Sequence, residues 1–223
     1  MASGPSTAPS SPERGPTEWQ DGIGVGPWRG QPPAGEHFDP ELLADGDRRN
    51  VVDAFRYWRR EAIVAELDRR RHSFHVAIEN FQHDANIGTV VRTANAFLAR
   101  EVHIVGKRRW NRRGAMVTDR YQHVRHHAGI AELAEYAEAE GLSLVAVDNT
   151  AGSMRLERTE LPRECILLFG QEGPGLGAQS REAAALVVSI AQFGSTRSIN
   201  AGVAAGIVMH HWIAQHADLT FAW

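Results

Sequence analysis

Two apolar segments near the end of the chain, each followed by glycine, decide the fold. Residues 165–177 read C-I-L-L-F-G-Q-E-G-P-G-L-G, and residues 186–206 read L-V-V-S-I-A-Q-F-G-S-T-R-S-I-N-A-G-V-A-A-G. Each begins as a short aliphatic strand, and the second continues into a helix of small residues. Strand ends with accessible backbone are where α/β proteins hold small polar ligands. This part of the chain therefore predicts a ligand site.

Upstream of these segments, predicted strands alternate with predicted helices. The alternation predicts an α/β fold, with a mostly parallel sheet that carries helices on both faces. The predicted strands are 73–78, 102–105, 142–147, 165–169 and 186–190, and the predicted helices are 86–98, 130–140, followed by Gly141, and 198–216.

Composition limits the class of protein. The 223 residues are 43% hydrophobic, and the net charge is −3, so a basic surface for nucleic acid must be local. The single cysteine, Cys165, lies in an aliphatic run and is predicted to be a core residue. No disulfide can form within the chain, and no signal peptide or membrane span is recognisable, so we expect a cytoplasmic protein without a membrane partner.

The first third of the chain differs from the rest in composition. Residues 1–36 are rich in proline, glycine and serine and are predicted to be a disordered tail. Residues 37–72 are predicted to form a helical extension with Asn50 as its N-cap, and residues 73–223 to form the main domain. The arginines of this extension either form a solvated helix face or contact RNA or a second subunit. They are Arg56, Arg59, Arg60, Arg69, Arg70 and Arg71.

The segment N-I-G-T-V-V-R at residues 86–92 opens the first helix of the main domain. Arg92 lies almost two turns into this helix among apolar neighbours. A poorly solvated guanidinium needs an anionic partner, because an unpaired buried cation is costly. A structural salt bridge and a bound phosphate both remain open.

The two glycine-containing turns differ from known phosphate loops. Residues 170–177 lack the lysine of a Walker loop, and Glu172 would repel phosphate. In the second turn, Ser198 and Asn200 are either simple helix caps or functional groups. The small residues 201–206 permit close approach of a ligand or of another chain segment.

A local basic segment, K-R-R-W-N-R-R-G at residues 107–114, contains Trp110 among cations. Cations next to an aromatic ring suit a phosphate backbone with a stacked base, although a solvated loop would have a similar sequence. The predicted RNA-binding residues are Lys107, Arg108, Arg109, Arg112 and Arg113. Of the eleven histidines, His123, His126 and His127 lie closest together, but no cysteine or carboxylate cluster accompanies them, so no metal is expected.

Three of these segments, in this order, resemble the signature motifs of the SpoU (TrmH-type) branch of the SPOUT RNA methyltransferases. They are residues 86–94, residues 168–176, and residues 190–200 up to the start of the last helix. The resemblance covers residues 74–212. The third motif commonly continues Asn-Val-Ser in this family, whereas this chain has Asn200-Ala201-Gly202.

The resemblance implies a deep C-terminal trefoil knot in the parallel α/β domain, an exception to the rule against threaded chains. It also implies a homodimer and S-adenosylmethionine bound within the knot. By motif position, Gly170, Ile190 and Ile199 would contact this cofactor, mainly through backbone groups.

The activity implied is methyl transfer to a ribose 2′-hydroxyl of RNA. Arg92 would be the central catalytic residue, with Asn86, Glu172, Ser198 and Asn200 around the ribose. The short N-terminal extension favours tRNA over rRNA, with a D-loop guanosine as the first expected target and a wobble-position pyrimidine as the second. A non-catalytic RNA-binding or ribosome-assembly protein of the same fold is the main alternative. A nicotinamide-dependent enzyme is less consistent, since the dinucleotide fingerprint is missing.

Overall fold

The computed structural model describes residues 16–18, 24–81, 86–171 and 175–221. The chain divides into two compact units, Met1–Glu66 and Leu67–Trp223.

The first unit contains a two-stranded antiparallel sheet followed by short helices. The strands are β1 (Pro16–Glu18) and β2 (Val25–Trp28), and the helices are α1 (Pro40–Asp45), a 3-10 helix at Asp53–Phe55, and α2 (Arg60–Asp68). Asp39 caps α1, because its carboxylate accepts hydrogen bonds from the backbone N–H groups of Glu41 at 3.0 Å and Leu42 at 3.4 Å.

Composition predicts a disordered tail up to residue 36, and within that range residues Val25–Trp28 form β2. The Tyr57 hydroxyl donates to the Gly26 carbonyl at 2.5 Å, and its ring meets Trp28 edge-on at 5.7 Å. These contacts join residues about thirty positions apart, so local composition does not reveal them. The prediction of a helix directly after Asn50 is wrong, because the chain forms only a 3-10 helix at Asp53–Phe55 before α2 begins at Arg60.

The second unit is built on a seven-stranded sheet in which all neighbouring strands pair in parallel. The strands are β3 (His75–Asn80), β4 (Val102–Gly106), β5 (Val124–His127), β6 (Ser143–Val147), β7 (Met154–Arg155), β8 (Cys165–Phe169) and β9 (Leu186–Ser189). Their order in the sheet is β5-β4-β3-β8-β6-β9-β7.

Helices cover both faces of this sheet, as predicted. The helices are α3 (Asn86–Ala96), α4 (Ile130–Ala139), α5 (Ala178–Ala183) and α6 (Ala201–His216). Helices α3 and α6 share one core with alternate strand residues such as Val76 and Ile78, and α4 shares the other with Ala77. Successive side chains of a strand point to opposite faces, and the central strands are apolar on both.

The boundaries of the predicted strands and helices agree with those in the structure to within about two residues, except at the start of α6. This helix begins at Ala201 rather than at residue 198, because Asn200 is its N-cap. Gly141 follows α4 with a φ of 69°, the left-handed conformation predicted for it. Cys165 is fully buried, and burial raises the pKa of its thiol to about 12. Among the helices of the described ranges, none has the length and apolar character needed to cross a bilayer.

Candidate active site

The loops after three neighbouring strands and the start of α6 line one cavity of about 970 Å³, including space open to solvent. The strands β8, β6 and β9 lie side by side, so their carboxyl ends meet at one edge of the sheet. Of the residues that the sequence singled out, the cavity wall contains Gly170, Ile190, Ser198, Ile199 and Asn200. The three predicted cofactor-contact residues are therefore neighbours in space.

Gly170 is required by the way its loop folds back. Gln171 and Gly175 form an antiparallel bridge, and the Gly175 N–H donates to the Gln171 carbonyl at 3.1 Å. A Cβ atom on Gly170 would lie 2.3 Å from both the Gly175 carbonyl carbon and the Leu176 nitrogen. Because these are backbone atoms, any side chain at this position displaces the loop. Glu172, predicted to act at the ribose, lies outside the described residues.

The far end of the same loop is fixed by a buried carboxylate that the sequence analysis missed. Glu79, on β3 and 1% exposed, accepts hydrogen bonds from the Gly177 N–H at 3.2 Å and the Ser180 hydroxyl at 2.5 Å. Arg181 binds the Leu176 carbonyl and pairs with Asp148 at 3.1 Å. The sequence did contain a signal, since this carboxylate directly follows the apolar residues 76–78 of the strand.

Asn200 joins the first and third motifs. Its side-chain oxygen accepts from the backbone N–H groups of Gly202 at 2.9 Å and Val203 at 3.2 Å, and its Nδ2 donates to Asn86 Oδ1 at 3.0 Å. Asn200 is thus both the helix cap that one interpretation of the sequence proposed and a bridge to α3. Asn149, after β6, donates to the Arg197 carbonyl at 3.1 Å and ties a second loop to this region.

The small residues at the start of α6 allow it to pack closely on α3. A Cβ on Gly202 would lie 3.1 Å from Cγ2 of Thr89, and a Cβ on Gly206 would lie 3.8 Å from Cγ2 of Thr93. The close approach predicted for residues 201–206 is therefore made by another helix of the same chain.

Arg92 and Asn86 do not line the cavity wall. Arg92 is exposed on α3, whereas the sequence placed it on a partly apolar side. The difference arises because Ile87, Val90, Val91 and Ala94 turn inward and leave Arg92 on the outer side of the helix. Within the described ranges, no hydrogen bond or ion pair holds its guanidinium. The structural salt bridge considered for Arg92 is therefore not found there.

The basic segment is held at the first motif by its backbone, and its charged side chains are exposed. Asn80 Nδ2 donates to the carbonyls of Lys107 at 2.6 Å and Arg109 at 3.0 Å. A Cβ on Gly88 of α3 would lie 2.6 Å from the Ala115 nitrogen and 2.8 Å from Cα of Gly114. The exposed cations are Lys107, Arg108, Arg109, Arg112 and Arg113.

Trp110 is less available for a stacked base than the sequence suggested. It is half-buried and packs against the core beneath α3, and the Arg112 guanidinium lies 5.6 Å from its ring centroid. Arg112 also approaches Asp119 at 3.5 Å.

The arginines of the N-terminal extension have different environments. Arg71 is 9% exposed and binds the carbonyls of Ala99 at 3.2 Å and Tyr121 at 2.7 Å, so it is a structural residue. Arg60 pairs at the surface with Glu61 at 2.8 Å. The arginines of the extension therefore do not all belong to one solvated face or one contact surface.

The three histidines considered for a metal do not come together. His123 binds Asp68 at 2.8 Å, His126 binds the Gly106 carbonyl at 2.7 Å, and His127 binds His103.

Comparison with known proteins identifies the family of the second unit. Residues 73–210 match the family model described as SpoU rRNA Methylase family. An uncharacterized tRNA/rRNA methyltransferase of Mycolicibacterium smegmatis is 33% identical over 141 residues, which is 60% of this chain and 44% of that protein. The tRNA (guanosine(18)-2′-O)-methyltransferase of Escherichia coli K12 is 23% identical over 66% of each chain. The match thus spans 44% of the length of the first of these relatives and 66% of the second.

Solved structures share the fold. The SpoU methyltransferase AviRb of Streptomyces viridochromogenes, crystallised with AdoMet, superimposes with a TM-score of 0.59 at 23% identity, over 65% of this chain and 58% of that one. This likeness agrees with the predicted α/β fold and its mostly parallel sheet.

Proposed function

This chain belongs to the SpoU rRNA Methylase family, and on that premise we propose that it transfers a methyl group from S-adenosylmethionine to a ribose 2′-hydroxyl of RNA. The observation that carries the proposal is the cavity formed by three adjacent strand ends, which Asn200 connects to the first motif through Asn86. Such a cavity brings cofactor-sized space next to groups that can orient a hydroxyl.

The chemistry of the cavity suits this cofactor. Aliphatic side chains such as Leu176 and Ile190 offer an apolar wall, while Gln192 and Ser198 supply hydrogen-bonding groups. Gly170, Ile190 and Ile199 would hold the cofactor largely through backbone groups, as their motif positions imply. When bound, the cofactor supplies a methyl group already activated on a sulfonium, so the protein mainly contributes proximity and alignment.

Arg92 has the properties needed to bind the substrate side of the reaction. A guanidinium stays protonated in proteins, so we do not assign it the role of general base. Instead, Arg92 would pair with a substrate phosphate and stabilise negative charge that develops on the 2′-oxygen as the hydroxyl loses its proton. Its exposure, and the absence of an ion-pair partner within the described ranges, support this role.

The remaining polar groups would orient the ribose. Ser198 and Asn200 lie in the cavity wall, and Asn86 is fixed to Asn200 at 3.0 Å. Glu172 completes the proposed catalytic set by its place in the second motif. The roles of all five residues, Arg92 included, can be separated by comparing the affinity for the cofactor with the rate of methyl transfer.

We favour tRNA as the substrate, with a D-loop guanosine as the first target. The E. coli relative is named for guanosine 18 of tRNA, and the exposed cations of residues 107–113 offer a surface for a phosphate backbone. A wobble-position pyrimidine is the second expected target, and rRNA remains an outcome of the test. A cytoplasmic location is consistent with such substrates and stays a prediction.

A homodimer and a C-terminal trefoil knot are further parts of the proposal. Val203 and Ile207 are 55% and 39% exposed one turn apart on α6, and Phe193 in the preceding loop is 98% exposed. Apolar side chains of this kind suit a second subunit. The proposal of a knot rests on the resemblance of the three motifs.

The first test is titration calorimetry with S-adenosylmethionine. We expect one cofactor bound per chain, and binding weakened by a change at Gly170. A chain that binds RNA but no cofactor would instead be a non-catalytic RNA-binding protein of the same fold.

A further inference from the structure

A diagonal row of three histidines crosses the sheet on the face covered by α4. His75 Nδ1 lies 2.9 Å from His103 Nε2, and His103 Nδ1 lies 2.9 Å from His127 Nε2. The three residues belong to the adjacent strands β3, β4 and β5, and each is displaced by two positions from the register of the next. The α3–α6 side of the sheet, which carries the first and third motifs, is the opposite face.

These imidazoles are buried, since His75, His103 and His127 are 6%, 0% and 2% exposed. A ring nitrogen of a neutral imidazole is the atom that binds metal ions.

A carboxylate completes the cluster. His75, His103 and Glu101 can each offer one ligand atom, and the three atoms lie within 4.8 Å of one another. We propose that these three residues form a binding site for a divalent transition-metal ion. Two imidazoles and one carboxylate suit Zn²⁺ and Co²⁺, with water as a fourth ligand.

The surroundings of the cluster are those of a second coordination shell. A histidine that binds a metal through one ring nitrogen donates the other N–H to a neighbouring acceptor. With His103 Nε2 on the metal, His103 Nδ1–H would donate to His127 Nε2. His127 Nδ1–H would then face Glu132 Oε1 at 3.9 Å, and it has no hydrogen-bond partner of its own among the described residues.

Glu101 is oriented from the other side. Its Oε2 accepts from the Tyr136 hydroxyl at 3.2 Å, and Arg125 Nε lies 3.1 Å from both carboxylate oxygens. With Oε2 held by Tyr136, Oε1 becomes available to a metal when Arg125 moves away. The Arg125 guanidinium opposes a cation here, but its side chain is 50% exposed and can turn to solvent.

Metal binding requires a small rearrangement of the cluster. Tetrahedral ligands at metal distances of about 2.0–2.1 Å lie roughly 3.3 Å apart. His75 Nδ1 and His103 Nε2, which lie 2.9 Å apart in a hydrogen bond, would release the proton between them and separate slightly, and the carboxylate would move closer. Glu101 stands just before β4 with 15% of its side chain exposed, which gives it freedom to move and gives the ion a path from solvent.

The site lies on the face opposite α3 and α6, so it would serve the fold rather than methyl transfer. It would join β3 to β4 beneath α4. The proposal therefore stands independently of the proposed enzymatic function, and its test needs no RNA and no cofactor.

The experiment uses the full chain, stripped with a chelator and then mixed with Co²⁺ or Zn²⁺ alone. Co²⁺ binding is followed by its visible absorption bands, and Zn²⁺ is measured by elemental analysis after gel filtration. Four variants are compared with the natural chain: Glu101→Gln, His103→Gln, His127→Gln, and His123→Gln as a control. His123 is a histidine outside the cluster with 47% of its side chain exposed.

We expect one ion per chain, an affinity at least about tenfold lower in Glu101→Gln, and no change in His123→Gln. His127→Gln should lower the affinity by about 10–100-fold without removing a direct ligand. Circular dichroism checks folding, and Glu101→Gln decides the matter if His103→Gln does not fold. Failure to retain either ion, or equal binding by Glu101→Gln and the natural chain, would overturn the proposal.

Discussion

Asn86 and Asn200 are 114 positions apart in sequence and share a hydrogen bond of 3.0 Å between their side chains. Asn200 uses its other side-chain atom to cap α6. One residue therefore sets the start of the last helix and also fixes that helix to the segment that contains Arg92.

The two roles of Asn200 can be separated by substitution. Asn200→Ala should remove the cap and cost about 1 kcal/mol of unfolding free energy. Asn200→Ser should keep the cap, because serine is an equally good N-cap, but it is too short to reach Asn86. We expect near-normal thermal stability for Asn200→Ser and methyl transfer lowered roughly tenfold, the equivalent of one hydrogen bond. Equal activity of Asn200→Ser and the natural chain would show that the contact with Asn86 is dispensable.

The glycine turn after β8 provides a second prediction. Gly170→Ala should weaken S-adenosylmethionine binding by at least about tenfold, because its Cβ would lie 2.3 Å from backbone atoms of Gly175 and Leu176. Gly194→Ala is the matched control in the neighbouring loop, since a Cβ there meets nothing within 4 Å. Calorimetry on both variants makes the comparison, and equal affinities would mean that the loop shape does not govern binding.

The sequence was sufficient for what depends on local patterns. Aliphatic runs located β3, β4, β6, β8 and β9, and helical periodicity located α3 and α4, because hydrophobic spacing reflects which side of each element is buried. The resemblance of three short motifs assigned Gly170, Ile190 and Ile199 to one ligand, and all three residues line the same cavity.

What the sequence could not provide depends on pairing between distant residues. The anchoring of the loop after β8 by Glu79, about 100 positions away, follows from β3 lying beside β8 in the sheet. The contacts of Gly26 and Trp28 are made by Tyr57, about thirty positions away, and the exposure of Arg92 depends on how α3 is rotated on the sheet. Local periodicity carries no information about such contacts.

The contact between α3 and the basic segment is tight enough to test by adding one methyl group. Gly88→Ala should cost about 1–3 kcal/mol, because its Cβ would lie 2.6 Å from the Ala115 nitrogen, and should also weaken RNA binding. Gly129→Ala, before α4, adds the same atom where nothing lies within 4 Å. Thermal unfolding and filter binding of tRNA measure the two effects. An unchanged melting temperature for Gly88→Ala would contradict the packing described above.

The basic segment should act through charge. Replacing Arg108 and Arg109 together with alanine should lower the slope of log affinity against log salt by about 0.7–0.9 per lost phosphate contact. Their backbone positions should survive, since Asn80 binds main-chain carbonyls there. Arg163→Ala is the control. This exposed residue precedes β8 and so lies at the amino ends of the strands, whereas the basic segment follows β4 at the carboxyl ends. A salt slope that is the same for the double variant and the control would exclude the segment as a phosphate contact.

Methyl transfer itself tests the central claim most directly. The natural chain and Arg92→Lys are incubated with labelled S-adenosylmethionine and tRNA that lacks native modification, in parallel with unmodified rRNA, and the products are mapped as nucleosides. We predict one 2′-O-methylated nucleoside in tRNA with the natural chain, and a rate at least about tenfold lower with Arg92→Lys at unchanged cofactor affinity, because lysine cannot reproduce the planar fork of a guanidinium. No 2′-O-methylated product in either RNA would contradict the proposed activity, and a near-normal rate with Arg92→Lys would contradict the role of Arg92.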